Sequence, residues 1–156
     1  MSDVESQVTL SNYVTRKVMS LYRQKDAGSS VATAKLAQLR RGAGKDPVSH
    51  PELWGIIFGE DEDTPGFPEC YRGKYDAPTR GEYATFNAVT LFALHQQARS
   101  QPMHVPGFRF GTAAGQLTLK TSESMKKRFD SLLKARSEPA RRHYLRSLIT
   151  LLRSEE

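Results

Sequence analysis

The segment ATFNAVTLFALH, residues 84–95, limits the fold of this chain more than any other stretch of its sequence. It contains no Asp, Glu, Lys or Arg, and its apolar residues fall on most sides of the helix that their spacing predicts. The preceding Thr79-x-x-Glu82 pattern is typical of a capping box at a helix N-terminus. A helix that is apolar nearly all round must be surrounded by other helices. We therefore expect a helix over about residues 79–100 to form the central post of a helical bundle.

The rest of the chain also shows helical rather than strand-like periodicity. Apolar residues recur at helical spacing from Leu10, and a second helix is predicted from about Ser30 to Arg41, with Gly42 as its left-handed cap. HPELWGIIFG, residues 50–59, predicts a short core helix, and TAAGQLTL, residues 112–119, predicts another. The sequence therefore favours an all-α fold: a single domain, residues 1–156, folded as one compact bundle of six to seven helices.

Two amphipathic helices are predicted to complete the chain. The first should place Met125, Phe129, Leu132 and Leu133 on one apolar stripe, and the second should begin near Ser137. The residues that the second helix should bury are Tyr144, Leu145, Leu148 and Leu152. Between the short third helix and the central one, residues 60–78 are rich in Gly, Pro and acid, which predicts an exposed acidic loop.

Composition excludes several classes of protein. A single cysteine, Cys70, excludes an internal disulfide and a multi-cysteine zinc site. No charge-free run is apolar enough to span a bilayer, and the first ten residues do not resemble a signal peptide. We therefore expect a cytoplasmic protein that does not bind membranes.

The sequence offers no set of residues for catalysis. The four histidines are scattered, and none forms an HExxH or HxxxH pair. The glycine-rich GAGK, residues 42–45, and GTAAG, residues 111–115, lack the form of a phosphate-binding loop. An acidic run such as Glu60–Asp63 without metal-ligand spacing is typical of a solvated loop. We expect no enzymatic activity, no cofactor and no metal site.

The charge is distributed unevenly along the chain. The net charge of +6 combines +5 in residues 1–45, −4 in residues 46–119 and +5 in residues 120–156. Two basic ends around an acidic middle indicate a polyanionic partner more strongly than the total does. In the last helix, Arg142, Arg146 and Arg153 fall within roughly 40° of one another at about 100° per residue, which predicts an exposed arginine face.

Four segments follow one another along the chain: AKLAQLRRG, FNAVTLFALHQQ, PMHVPGFRFGTAAGQL and MKKRFDSLLKARSEPARRHYLRSLITLLR. In this order they resemble the CasB family, the small subunit of the type I-E CRISPR surveillance complex called Cascade, and the resemblance covers about residues 10–153. It implies a non-catalytic helical bundle, two copies of which lie head to tail inside Cascade. Its partners would be CRISPR RNA, target DNA (especially the displaced strand), the other Cascade subunits and a second copy of itself.

The resemblance also implies which cations bind nucleic acid. Carried over by position, these residues are Arg40, Arg41, Arg80, Lys127, Arg128, Arg136, Arg142 and Arg146. The acidic loop of about residues 60–78 looks longer than the family core requires. Because acidic side chains repel phosphates, we expect this loop to face away from the DNA path or to contact another subunit.

Two other functions fit the same basic surface. A helical DNA-binding transcriptional regulator would prefer one duplex sequence, although an arginine face suits backbone contact better than base readout. A basic protein–protein adaptor would instead bind an acidic partner and ignore nucleic acid at physiological salt.

Overall fold

The computed structural model describes residues 9–74, 76–120 and 123–155 of the chain. In this part the helices are α1 (Leu10–Asp26), α2 (Ser30–Gly42), α3 (Trp54–Phe58), α4 (Arg80–His95), α5 (Phe110–Thr118), α6 (Glu123–Lys134) and α7 (Glu138–Glu155). Short 3-10 turns lie at Pro47–Ser49, Pro51–Leu53 and Glu69–Tyr71. Within the same ranges the only strand-like pairing is one isolated bridge, Asp61–Thr64. The prediction of a compact all-α bundle is confirmed.

Helix α4 is the central element, as its lack of charge predicts. It packs against α1, α2, α3 and α7, and Phe86, Val89 and Ala93 along its length are fully buried. The capping box is present, because the Glu82 N–H donates to the Thr79 hydroxyl and the Thr79 N–H donates to the Glu82 carboxylate at 2.8 Å. Burial on most sides, with Ala84 and Ala88 exposed, makes α4 the axis about which the other helices are placed.

The predicted C-terminal end of α4 is wrong by about five residues. The helix ends at His95, and the buried side chain of Gln96 then organises the turn that follows. Its amide donates to the carbonyls of Arg99 and Gln101, and its oxygen accepts from the Met103 N–H at 2.9 Å. Because one side chain satisfies three backbone groups outside the helix, the chain turns there instead of continuing the helix.

Helices α1 and α2 form a hairpin that packs on α4. Gly28, at φ +87, supplies the left-handed residue in the turn between them. Gly42 is not the predicted left-handed cap, because the residue with positive φ after α2 is Gly44. A Cβ on Gly42 would lie 2.5 Å from Cδ1 of Leu53, so this glycine permits close packing of the helix end instead.

The acidic loop is attached to α1 more closely than its composition predicts. Phe67 is buried against Tyr13 and Phe58, and the Tyr13 hydroxyl donates to the Ile57 carbonyl at 2.7 Å. Lys17 is 1% exposed, and its ammonium donates to the Gly59 carbonyl at 2.8 Å and to Asp61 at 3.1 Å. The prediction of an exposed loop is confirmed for most of its described residues, while the buried Thr64 and Phe67 and the ion pair of Asp61 with Lys17 attach the loop to the bundle.

The ion pair with Lys17 shifts the ionisation of Asp61. Partial burial would raise the pKa of Asp61, but the hydrogen bond and the charge of Lys17 outweigh burial and hold that pKa below its ordinary value. Burial, together with the negative charge of Asp61, raises the pKa of Tyr13 to about 12. In the folded protein, Asp61 is therefore ionised beside Lys17, and Tyr13 stays neutral.

The C-terminal helices form a second, smaller hydrophobic cluster. Met125 of α6 and Leu148, Ile149 and Leu152 of α7 are buried there, and Leu91 and Leu94 of α4 pack against them. The predicted stripe of α6 is wrong at Leu133, which is 68% exposed. The sequence also overstated the burial of Tyr144 and Leu145, which are half-buried.

Candidate nucleic-acid interface

The C-terminal end of α2 meets the middle of α7. The guanidinium of Arg146 donates to the Ala43 carbonyl at 2.8 Å, although the two residues are 103 positions apart. Gly44 lies against the stem of the same arginine, where an added Cβ would be 2.8 Å from its Cδ. This contact places the basic C-terminal end of α2 next to α7. We call the cations of these two adjoining segments the α2–α7 seam: Arg40, Arg41, Lys45, Arg142, Arg146 and Arg153.

The two arginines that end α2 differ in environment. Arg41 is exposed and Arg40 is half-buried. Burial lowers the pKa of Arg40, and the nearby positive charge of Arg153 lowers it further. Within residues 9–74, 76–120 and 123–155, no carboxylate forms an ion pair with Arg40, Arg41, Arg146 or Arg153. The seam is thus positive and only partly compensated.

Arg142 does not lie on an exposed arginine face as its helical position predicts. Its residue is 7% exposed, because the connection after α2 covers it. Its Nη2 lies 3.9 Å from the Asp46 carboxylate, and its buried Nε has no acceptor among the described residues. Asp46 also accepts from the Val48 N–H and so caps the turn that begins at Pro47. Arg142 is therefore part of the contact between α7 and this connection rather than a free surface cation.

The cations of α6 and the turn after it differ in their contacts: one is bonded to α7 and others are exposed to solvent. Arg128 is half-buried, and its guanidinium donates to the Ser147 carbonyl at 3.1 Å and to the Ser147 hydroxyl at 3.0 Å. This pair of bonds joins α6 to α7. Lys127 and Arg136 are exposed, the latter in the turn between the two helices.

Arg80 is exposed at the first position of α4. Arg40 lies near Ala93, at the other end of the same helix, with which it lines a cavity. At 1.5 Å per residue the axial separation of these two ends is about 20 Å. Arg80 therefore stands apart from the seam. The structure does not bring all eight predicted residues into one cluster.

Three cations at the end of α4 were not among the predicted residues. Arg99 donates to the Arg153 carbonyl at 3.1 Å, and the Lys25 ammonium donates to the Arg99 carbonyl at 3.2 Å. Lys25 and Arg153 both lie in the last turn of a helix, where a cation is favoured. This position is the only sequence signal that Lys25 carries, whereas Arg153 also lies on the arginine face predicted for the last helix.

The described residues do not form a metal site. They include no set of three or more His, Cys, Asp or Glu side chains that could hold a metal ion. His104 is hydrogen-bonded to the Thr15 hydroxyl at 3.0 Å, and burial lowers its pKa. None of the helices in this part of the chain is long and apolar enough to cross a membrane.

Comparison with known proteins identifies the family. The sequence model of the CRISPR-associated protein Cse2 family matches residues 35–156. The crystal structure of CasB from Thermobifida fusca is similar to this chain, with a TM-score of 0.69 and 31% sequence identity, over 94% of this chain and 78% of that one. None of the curated proteins matches the sequence significantly. The chain therefore belongs to the Cse2, or CasB, family of CRISPR-associated proteins, a family of Cascade subunits that is not known as catalytic.

Proposed function

We propose that the protein is the non-catalytic small subunit of a type I-E Cascade complex in the cytoplasm, where it binds nucleic acid without sequence preference. In this role it holds the displaced DNA strand and supports the duplex of CRISPR RNA and target during antiviral defence. The observation that carries the proposal is the bond from Arg146 to the Ala43 carbonyl. It links two basic regions that are far apart in sequence, the end of α2 and the middle of α7.

The proposed task requires a surface of this kind. Exchanging a DNA duplex for an RNA–DNA duplex is nearly balanced in free energy, so a protein that holds the expelled strand shifts the equilibrium by opposing re-annealing. Every target differs in sequence, and contacts to bases would therefore discriminate against most targets. Guanidinium groups bind phosphate oxygens and stack on any base, which makes arginine suited to the task.

The environments of the eight predicted cations suggest two roles. Arg40, Arg41, Arg80, Lys127, Arg136 and Arg146 have groups that reach solvent and would contact the sugar-phosphate chain. Arg128 and Arg142 mainly hold α7 in place, because their groups face Ser147 and Asp46. The acidic loop is fastened to α1 through Lys17, and in the proposed complex it faces another subunit rather than the DNA path.

The test uses Cascade assembled with CRISPR RNA and a variant subunit. We expect Arg40→Ala combined with Arg41→Ala to weaken target binding about tenfold, since each lost surface contact to phosphate costs up to about 1 kcal/mol. The double variant Arg16→Ala with Arg23→Ala, two exposed cations of α1, is the matched control. Both variants should assemble and retain their helical content.

Several outcomes would refute the proposal. If Cascade that carries the Arg40→Ala and Arg41→Ala subunit binds its target as tightly as unmodified Cascade does, the proposed role is wrong. Preference of the isolated protein for one duplex sequence over competitor DNA would favour a transcriptional regulator. Failure to co-purify with CRISPR RNA and the other Cascade subunits, together with capture of an acidic protein, would favour an adaptor.

A further inference from the structure

Cations of two helices line a small cavity near the end of α4, and a cation of a third helix is linked to them by hydrogen bonds. Lys25 of α1 and Arg40 of α2 line this cavity, whose volume is about 40 Å³, together with Gln96 and Gln97. A space of this size exceeds what one water needs and suits a small ion. Arg153 of α7 does not line the cavity but is joined to it by two hydrogen bonds: the Arg99 guanidinium donates to the Arg153 carbonyl at 3.1 Å, and the Lys25 ammonium donates to the Arg99 carbonyl at 3.2 Å.

These cations are not neutralised by described neighbours. Asp26, the acidic residue next to Lys25, is exposed and forms no described ion pair. Within residues 9–74, 76–120 and 123–155, neither Lys25 nor Arg40 nor Arg153 is ion-paired. The cluster therefore carries like charges whose mutual repulsion an anion would relieve.

A second observation points to a ligand independently of the charge. The Nε of Arg153 is buried and has no acceptor among the described residues. A buried donor without an acceptor costs about 1–3 kcal/mol, and such groups are rare unless water or an ion completes the site. Lys25 donates one described hydrogen bond, to the Arg99 carbonyl, and its ammonium has three protons.

We propose that Lys25, Arg40 and Arg153 together hold a single phosphate-type oxyanion at this end of the bundle. The site differs from the eight binding residues that the family resemblance implied, because Lys25 and Arg153 were not among them. The anion could be a backbone phosphate of the bound strand, and only this assignment of the anion rests on the proposed function. A free phosphate has the same oxygen chemistry and would fit the same groups.

The experiment follows the Nε–Hε signals of Arg40 and Arg153 by NMR while inorganic phosphate is added to the full chain at constant ionic strength. We expect saturable shifts of both signals, and at least about tenfold weaker phosphate binding in Arg153→Gln, because a charge-assisted hydrogen bond is lost. Lys25→Gln should weaken binding in the same direction. Arg16→Gln, which removes an exposed cation of α1, is the control and should bind phosphate as the unmodified chain does.

A parallel titration with a short oligothymidylate distinguishes the two sources of the anion. Shifts of the same two signals by both ligands would support the site and assign it to a nucleic-acid backbone. Shifts by phosphate alone would support the site and assign it to a free anion.

Three results would overturn the inference. One is the absence of a saturable phosphate response, which would leave the proposed function standing if the oligonucleotide still bound through Arg41. Another is an equal loss of phosphate binding in Arg16→Gln. The third is a lowered melting temperature of Arg153→Gln with unchanged phosphate binding, which would show that Arg153 only stabilises the helix end.

Discussion

Two regions of the molecule differ in how their buried cations are paired. One is the acidic loop with α1, and the other is the α2–α7 seam. In the first region Lys17 is buried beside a carboxylate and a carbonyl, at 3.1 Å from Asp61 and 2.8 Å from the Gly59 oxygen. In the second region Arg142 is buried with its nearest described carboxylate at 3.9 Å, and the Nε groups of Arg142 and Arg153 have no described acceptor. The first region uses a cation for stability. In the second region the described part of the chain supplies neither a close carboxylate nor an acceptor for these Nε groups. Such uncompensated cations are expected of a surface that binds an anion.

The largest expected effect concerns the two hydrophobic clusters that underlie these regions. Phe86→Ala should destabilise the protein by about 3–5 kcal/mol, because it opens a cavity beside fully buried α1, α2 and α3 side chains. Leu148→Ala should cost about 2–3 kcal/mol, since half-buried neighbours around it can relax into the space. Urea unfolding of both variants measures the difference. An equal or larger loss for Leu148→Ala would mean that the C-terminal cluster is packed as tightly as the first.

The next effect contrasts the two buried cations. Lys17→Met should destabilise by about 2–3 kcal/mol, because it leaves Asp61 and the Gly59 carbonyl without their donor. Arg142→Met should change stability by less than about 1 kcal/mol, since an imperfectly paired buried charge is replaced by an apolar side chain of similar length. Thermal unfolding of the two variants under identical conditions provides the comparison. A greater loss for Arg142→Met would contradict the distinction between the regions.

A smaller effect is expected from pH. The pKa of Asp61 is lower in the folded protein than its ordinary value near 3.8, so the unfolded chain takes up this proton first as the pH falls. The stability that ionised Asp61 contributes is complete above about pH 5 and declines as the pH falls through its folded pKa. Asp61→Asn should therefore show a shallower loss of stability in acid than the unmodified chain. Asp63→Asn, two residues away and exposed, is the control and should retain the steeper slope.

The smallest effect on stability is expected at Arg41. Because its side chain is exposed, Arg41→Ala should change the free energy of unfolding by less than about 0.5 kcal/mol. If Arg41 contacts a phosphate, the slope of log affinity against log salt for single-stranded DNA should become shallower by about 0.7. Arg16→Ala should change neither quantity. An unchanged salt slope in Arg41→Ala would show that this side of the seam does not touch the strand.

The sequence by itself determined the helices and the central position of α4. Absence of charge between residues 84 and 95 and the Thr79–Glu82 capping box are local signals, and local signals specify local structure. The family could also be recognised, because it depends on the order of segments along the chain. Those predictions needed no knowledge of which elements touch.

Only the tertiary structure decided what each cation does. Arg142 and Arg146 lie one helical turn apart on the same face of α7, yet Arg142 is covered and Arg146 is exposed while it caps the end of α2. Periodicity gives the direction of a side chain about its own helix axis but not the element that lies opposite. Lys17 became a buried partner of Asp61, and Gln96 ended α4, for the same reason. Each of these outcomes depends on contacts between elements, and the free energies of burial and pairing exist only once those elements are packed together.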